Sequence, residues 1–382
     1  MAAATADQDL LLIPDSQQED ESDLSDSISF KDAIVMNADW TIETIVGQIS
    51  KKNIDLQPGF QRRAAWDDVR KSRLVESIIV GMPVPNIVLA ENKDHRGRFI
   101  VIDGKQRLLA INDYLNGGYA LRGLDIRPDL NGLKYNDLAQ EDREYLENST
   151  LRSTVIRNWK DENFLYAIFF RLNSGSLPLS PQELRKALVG GNLLDRIEEY
   201  LESSAPFQAL FGETLDKRMR DSELVLRFIA YDRALEEYRG DFKDFLDQTV
   251  EYYEASWEAR KGEAEQALIR LDRALITTMN IFSKDSFKKW IGDKFERVIN
   301  RAVFDCITRY FADEHVALAA RSKQHEIYDA FKDICKTQEF RDAIEKTPKT
   351  VGATKTRINM WGSVLAQTLN LTYDQCAQRI QP

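Results

Sequence analysis

The sequence predicts an α+β protein in which a small mixed α/β domain is followed by a helical domain. Short apolar, β-branched runs such as residues 99–102 lie in the first half of the chain, and apolar residues at helical spacing follow them. From about residue 190 onward the apolar spacing is helical almost throughout, and the alternation typical of strands is scarce. A length of 382 residues allows about two or three domains.

Charge is distributed unevenly along the chain. The first thirty residues hold eight aspartates and glutamates and no lysine or arginine, so they account for most of the net charge of −10. This composition predicts a disordered acidic tail over residues 1–30. Residues 58–110 carry ten lysines and arginines against six acidic residues. An anionic ligand is therefore compatible with this segment, although broad non-specific coating of DNA is not expected.

Cysteine usage and hydrophobicity exclude several classes of protein. Cys306, Cys335 and Cys376 are scattered and form no CxxC pair, which favours a reducing cytoplasm and argues against a zinc site. No apolar run approaches the length of a membrane span, and the N-terminus lacks a basic region followed by an apolar one. We therefore expect a cytoplasmic protein with no membrane partner. His315 and His325 lie in polar helical sequence and are expected at the surface.

The first domain is predicted over residues 31–190. A short helix is expected over residues 40–49, and a brief strand over residues 54–56. Asp67 is expected to cap a helix that stops at Gly81. The positions of that helix expected to face inward are Val69, Leu74, Ile78 and Ile79.

Further along this domain, apolar runs and helix signals alternate. Ser180 and Glu183 form a strong helix-start pattern, because a serine at the N-cap and a glutamate three residues later can satisfy each other's backbone amides. The other expected elements are strands over residues 86–90, 99–102 and 151–156 and helices over residues 105–115, 138–146 and 162–172. The residues of the last helix expected in the core are Phe164, Leu165, Ile168, Phe169 and Leu172.

The second domain is predicted to be helical over residues 191–382. Five of its segments show an apolar stripe at helical spacing. These segments are residues 224–235, 242–253, 267–282, 295–311 and 327–334. The sequence contains no repeat of fixed period, so a solenoid is not expected.

The stretch Asp103-Gly104-Lys105-Gln106-Arg107 lies at a predicted strand-to-helix corner. A helix N-terminus presents unpaired amides and a positive dipole end, and Gly104 allows a ligand to approach the backbone. Lys105 and Arg107 add cationic donors beside these amides. The pattern is therefore typical of a phosphate-binding corner. An equally good interpretation is that Asp103 caps the helix and the polar residues form a solvated first turn.

Five motifs in one order resemble a known family, the N-terminal domain of GmrSD-type modification-dependent restriction endonucleases, a branch of the ParB/sulfiredoxin-like superfamily. The family signature is usually Asp-Gly-Gln-Gln-Arg, and this chain has Lys105 in its third position. The resemblance runs from about residue 35 to beyond residue 230. Its motifs are residues 58–62 with Trp66, the 74–85 segment with its Gly-Met-Pro-Val-Pro, residues 102–107, residues 170–175 with 179–185, and residues 218–224.

The resemblance implies a site that binds and hydrolyses a nucleoside triphosphate, with Mg²⁺ at Asp103, to power or gate action on foreign DNA. In this interpretation the catalytic residues are Asp103, Gln106 and Gln61. The residues that would bind the nucleotide are Arg62, Gly104, Lys105, Arg107, Asn173 and Arg185. The added cation at Lys105 can strengthen anion binding or disturb the position of a water, and the sequence does not decide between these effects.

Several of these residues also have a simpler interpretation. Trp66 fits a packing residue at the helix entrance better than a base-stacking platform, and Glu183 fits the capping box better than catalysis. Asn173 and Arg185 fit a local structural role and a ligand contact equally well. We also expect no HNH nuclease within residues 240–382, since the two histidines there lack metal-ligand spacing.

Two functions of different class follow from these observations. The first is an NTP-hydrolysing component of a prokaryotic defence system that acts with a partner nuclease on DNA. The second is a non-catalytic module that senses nucleotide or DNA. The helical domain could bind a partner protein, bind DNA or form a homo-oligomer.

Overall fold

The computed structural model describes residues 33–56, 66–93, 95–160, 162–172, 180–216, 218–346 and 348–382. The predicted tail over residues 1–30 lies outside these ranges. The chain divides into two compact units between Leu188 and Val189. The first unit is a sheet with helices on both faces, and the second is helical apart from a short ribbon. The α+β class, with a helical domain after a mixed sheet, is thus confirmed.

The first unit contains five strands and six helices among its described residues. The strands are β1 (Ile34–Thr41), β2 (Ile54–Asp55), β3 (Ile87–Glu91), β4 (Phe99–Asp103) and β5 (Thr150–Arg157). The helices are α1 (Ile42–Ser50), α2 (Asp68–Ile79), α3 (Lys105–Leu115), α4 (Gln140–Asn148), α5 (Glu162–Leu172) and α6 (Pro181–Leu188).

The strands form one mixed sheet in the order β1-β5-β3-β4-β2. β2 pairs in parallel with β4, and β3 pairs in parallel with β5, while the β1–β5 and β3–β4 pairs are antiparallel. The carboxyl ends of β2 and β4 therefore lie at the same edge of the sheet, which we call the upper edge. β1 also ends at the upper edge, and β3 and β5 begin there.

Alternation along the strands gives the sheet two buried faces. One face packs against α1 to α4, with Val101 and Leu89 in its centre, and the other packs against α5 and α6, with Ile100 and Ile102 in its centre. β4 contributes to both cores, so the residues that follow it are held by buried packing on either side. This packing positions the corner at Gly104.

One strand of the first unit is not predicted by the sequence, and two side-chain placements are wrong. Residues 34–41 form β1, so the helix expected from residue 40 begins at Ile42; β1 is an edge strand whose start is exposed on both faces, and no alternation marks it in the sequence. Val69, expected to face inward, is exposed at the start of α2. Leu172, expected in the core, is 45% exposed because it lies in the last turn of α5.

The predicted cap of α2 is present and can be tested. Asp67 accepts a hydrogen bond from the Arg70 amide at 2.8 Å. Asp67→Ala should lower the free energy of unfolding by about 1 kcal/mol, and Asp67→Ser should restore most of it. The measurement is urea unfolding followed by circular dichroism. Asp68→Ala is the control, since Asp68 forms only an exposed ion pair with Arg122; an equal loss in both variants would contradict a capping role for Asp67.

The second unit packs its helices around a large aromatic and aliphatic core. The helices are α7 (Asn192–Ser203), α8 (Ala205–Phe211), α9 (Arg220–Ala234), α10 (Phe242–Glu254), α11 (Trp257–Phe282), α12 (Arg301–Phe311), α13 (Glu314–Ala320), α14 (Gln324–Ile334), α15 (Gln338–Glu345) and α16 (Val351–Leu369). A two-stranded ribbon, β6 (Thr372–Asp374) with β7 (Arg379–Gln381), follows α16. Its strands have three residues each, too few for alternation to reveal them in the sequence.

A group of five buried charged residues ties three helices of this unit together, and we call it the buried charge cluster. Its members are Glu223 and Arg227 on α9, Arg301 and Asp305 on α12, and Arg357 on α16. Asp305 accepts hydrogen bonds from Arg227 at 3.0 and 2.6 Å and from Arg357 at 3.2 Å, and Glu223 accepts one from Arg301 at 3.1 Å. Burial lowers the pKa of Arg227, but the charge and hydrogen bonds of Asp305 outweigh burial and raise it overall. Arg227 therefore stays charged within the cluster.

The histidines and the two buried cysteines of the second unit differ in their surroundings. His325 is 87% exposed as expected, but His315 is half-buried and its Nε2 lies 2.7 Å from the Ile380 carbonyl oxygen on β7. Burial raises the pKa of the Cys306 and Cys335 thiols, so both stay protonated.

No helix in the described ranges is both long enough and apolar enough to cross a membrane.

Candidate functional site

The corner between β4 and α3 is built around Gly104. This residue has φ +94° and caps α3 from the left-handed region. A Cβ at this position would lie 2.5 Å from Ile87 Cγ2 and 3.2 Å from Arg107 Nη2. Both the backbone angle and the lack of space therefore require glycine here. The space that a side chain at position 104 would need is already occupied by Ile87 and Arg107, so the backbone at the corner is closely packed.

Asp103 is not the cap of α3, which corrects the capping interpretation of this stretch. Its Oδ2 accepts a hydrogen bond from Arg107 Nη2 at 2.7 Å, four residues along the chain. The N-cap is Gly104, which has no side chain to block the first amides of the helix. The first amides of a helix have no acceptor within the helix itself, and a bound anion is one group that can accept from them.

The first turn of α3 is also not solvated, which corrects the second half of that interpretation. Lys105 is 8% exposed and Arg107 is 7% exposed, while Gln106 is half-exposed. Arg107 Nη2 donates a second hydrogen bond to the Asn86 carbonyl oxygen at 3.0 Å, and its Nε has no hydrogen-bond partner among the described residues. Two cations are therefore held at the edge of a core at a helix N-terminus, an arrangement that favours an anion nearby.

An irregularity in the sheet lies directly before this corner. The register between β3 and β4 shifts after the pair Val88–Asp103, so β4 carries one extra residue there. Such bulges bend a strand and change the direction of the side chains that follow.

Asn86, which immediately precedes β3, also contacts Arg107, and the sequence patterns do not predict this contact. Its position after the extended Pro83-Val84-Pro85 turn was the only available signal.

Arg185 lies on α6, which packs against β4. It is fully buried, and its Nη1 donates to Gln182 Oε1 at 2.6 Å. The expected capping box of this helix is confirmed: the Ser180 amide donates to Glu183 Oε2 at 2.6 Å, and the Glu183 amide donates to Ser180 Oγ at 3.1 Å. The Glu183 side chain thus stabilises the start of α6. Arg185 adds a third buried cation to the first unit.

Three predicted site residues, Gln61, Arg62 and Asn173, lie outside the described residues. In the sequence, Gln61 and Arg62 follow β2, which runs parallel to β4; the last residue of β2, Asp55, pairs with Ile100, three residues before β4 ends. Trp66, at the start of the next described range, packs on the core, and Arg70 lies over its ring at 4.7 Å. The packing interpretation of Trp66 is therefore confirmed.

Within the described ranges, no group of three or more His, Cys, Asp or Glu side chains could hold a metal ion. Asp103 supplies a single carboxylate at the corner. That donor set suits Mg²⁺ bound together with a substrate, since this ion usually takes one or two carboxylates plus phosphate oxygens and keeps several waters. It does not suit a structural zinc site.

The fold and this corner define an α+β domain in which an inner strand leads through a glycine turn into a helix whose first turn holds two buried cations. Residues 42–190 match a family model described as GmrSD restriction endonuclease, N-terminal domain. This part of the chain is thus an N-terminal domain of the GmrSD restriction endonuclease family. The match covers most of the first unit and less than half of the whole chain.

No curated protein matches the chain, and no solved structure does. The family alone therefore indicates the setting, which is that of a component of a restriction or defence system. The second unit lies almost entirely beyond the matched residues.

Proposed function

We propose that the chain is the nucleotide-handling component of a cytoplasmic restriction system that acts on foreign DNA. In this proposal the corner at Gly104 binds a nucleoside triphosphate with Mg²⁺ and hydrolyses it. The observation that carries the proposal is the corner itself. Gly104, in the left-handed region, starts α3 without a side-chain cap, and Lys105 and Arg107 are buried in the first turn that follows it.

The charges near the corner support binding of a polyphosphate. A phosphate at a helix N-terminus interacts with backbone amides and with the positive end of the helix dipole. Lys105 and Arg185 add two buried positive charges in the same unit, whereas the charge of Arg107 is balanced by its ion pair with Asp103. Buried charges act over longer distances than exposed ones because they are less screened. Arg62 joins them in this proposal on the ground of the motif at residues 58–62 alone.

Asp103 is proposed to serve the chemistry at a bound phosphate. Arg107 holds its carboxylate at the end of β4, so this arginine acts chiefly by positioning Asp103. Mg²⁺, when bound, would neutralise charge on the phosphate oxygens. Gln106, which is half-exposed, and Gln61 are proposed to orient the attacking water. Asn173 remains a proposed nucleotide contact.

The second candidate function is a non-catalytic module that senses nucleotide or DNA. The observation that favours it is Lys105, because a buried cation at the third position of the motif can hold an anion without positioning a water. In either case DNA cleavage is proposed to come from a partner nuclease. The helical unit is the proposed surface for that partner or for a second copy of this chain.

Asp103→Asn separates the two functions. If Asp103 serves catalysis, this variant should lower NTP turnover by about 100-fold, as expected for loss of a catalytic carboxylate, with little change in nucleotide affinity. The measurements are phosphate release with ATP, GTP, CTP and UTP, with and without DNA, and calorimetric titration of the same nucleotides. The control is Asp113→Asn, because Asp113, on the helix α3 that follows Asp103, forms a comparable ion pair with Lys71 at 3.1 Å.

The possible outcomes distinguish hydrolysis, sensing and the absence of any nucleotide function. Turnover in the wild type that survives Asp103→Asn would contradict the catalytic role of Asp103. Tight binding without any turnover in the wild type would favour the sensing module. Absence of both binding and turnover would contradict nucleotide handling altogether.

A further inference from the structure

A groove of about 540 Å³ lies at the upper edge of the sheet in the first unit. It is formed where β1 ends, where β5 begins and where the segment before β3 crosses the edge. Its volume falls in the range of about 300–1,000 Å³ that is usual for small-molecule sites. We propose that this groove receives the nucleoside part of the nucleotide whose phosphates bind at Gly104; the inference rests on the proposed function.

The groove and the corner lie on the same edge at a suitable separation. Val88 on β3 lies opposite Asp103 on one side and opposite Thr154 of β5 on the other, which places Asp103 and Thr154 about 10 Å apart. The groove residues of β5, Thr150 to Arg152, lie two to four residues nearer the start of that strand, about 7–14 Å beyond Thr154. Asn86 connects the two places, because its carbonyl oxygen accepts from Arg107 and its Nδ2 donates to Thr154 Oγ1 at 3.1 Å on β5. Val84 lines the groove only two residues before Asn86, within about 7 Å along the chain. An extended nucleoside triphosphate spans such a separation.

The lining of the groove suits a base and a sugar. Tyr145 is 52% exposed and Met82 is 47% exposed, and both present apolar surface that packing of the unit leaves uncovered. An aromatic ring of this kind can stack on a base. Asn148 Nδ2 donates to the Glu144 carbonyl oxygen at 2.8 Å and Ser149 Oγ donates to the Tyr145 carbonyl oxygen at 2.7 Å, so toward a base edge or a sugar hydroxyl these side chains would act chiefly as acceptors. Apolar surface with a few polar groups is the usual composition of such sites.

An exposed ion pair forms the remaining wall. Arg152 and Asp39 face each other across the β1–β5 pair, with Arg152 Nε 3.4 Å from Asp39 Oδ1. Because both side chains are exposed, this pair contributes little to stability. Arg152 can therefore turn toward a ligand at small cost, and its planar guanidinium can stack on a base or pair with a phosphate oxygen.

The test compares a nucleotide with its phosphates alone. The wild-type full-length chain is titrated with inorganic triphosphate and with ATP, GTP, CTP and UTP in the presence of Mg²⁺. Tyr145→Ala and Arg152→Ala should each weaken binding of the tightest nucleotide by about tenfold, the loss expected for one stacking contact, while affinity for inorganic triphosphate stays the same. Arg122→Ala is the matched control, since Arg122 forms an exposed ion pair with Asp68 outside the groove and should change neither affinity.

Each outcome decides the inference. Unchanged nucleotide affinity in both groove variants would overturn it and leave phosphate binding at Gly104 intact. Equal losses for the nucleotide and for inorganic triphosphate would also overturn it, because the variants would then act through the corner or the fold. A wild-type chain that binds neither ligand would overturn the proposed function and this inference together. Should Tyr145→Ala fail to fold, as judged by its melting curve, Arg152→Ala provides the decision alone.

Discussion

Replacing Asp305 with alanine should lower the free energy of unfolding of the helical unit by about 3–5 kcal/mol, the usual cost of removing one partner from a buried ion pair. Asp305 is 3% exposed and accepts hydrogen bonds from both Arg227 and Arg357. Its loss would leave the three arginines of the buried charge cluster with Glu223 as the one remaining acid of that cluster. Urea unfolding of the wild type and the variant, followed by circular dichroism, measures the difference.

The matched control is Asp333→Ala in the same unit. Asp333 forms an ion pair with Lys336 at 2.7 Å, but both side chains are more than half exposed. Exposed pairs of this kind are worth at most about 1 kcal/mol. A loss for Asp305→Ala as small as that for Asp333→Ala would show that the cluster does not hold α9, α12 and α16 together.

Gly104→Ala should be the most damaging small substitution in the first unit. The left-handed backbone alone costs a residue with a Cβ about 1–2 kcal/mol, and the contact of 2.5 Å with Ile87 Cγ2 adds to that cost. Because Ile87 starts a central strand and is fully buried, it cannot move away easily. We expect a total loss of about 3 kcal/mol in the free energy of unfolding, with loss of nucleotide binding.

Gly117→Ala separates the two causes of this loss. Gly117 follows the same helix with φ +74°, but a Cβ there would meet nothing within 4 Å. Its substitution should therefore cost only the backbone term, about 1–2 kcal/mol, and leave nucleotide affinity unchanged. Equal destabilisation by the two substitutions would contradict close packing at the corner, and wild-type nucleotide affinity in Gly104→Ala would contradict the proposed phosphate site.

The sequence by itself determined the features that depend on neighbours a few residues apart. The cap at Asp67, the capping box of Ser180 and Glu183 and the strand-to-helix corner at Gly104 all follow from local spacing, since each is satisfied within one helical turn. The division into a mixed sheet followed by helices also follows from apolar periodicity, which reports burial along each element. The family of residues 42–190 was recognisable for the same reason, from short motifs in a fixed order.

Only the tertiary structure decided which polar residues are buried and what they contact. Lys105 and Arg107 look like solvated first-turn residues in the sequence, yet packing on both sides of β4 buries them, and Asp103 pairs with Arg107 instead of capping α3. Likewise, Asp305 and Arg227 are 78 positions apart, and nothing local distinguishes them from exposed charges. The physical reason is that burial and charge pairing depend on contacts across the fold, whereas periodicity and capping depend on the chain within a few residues.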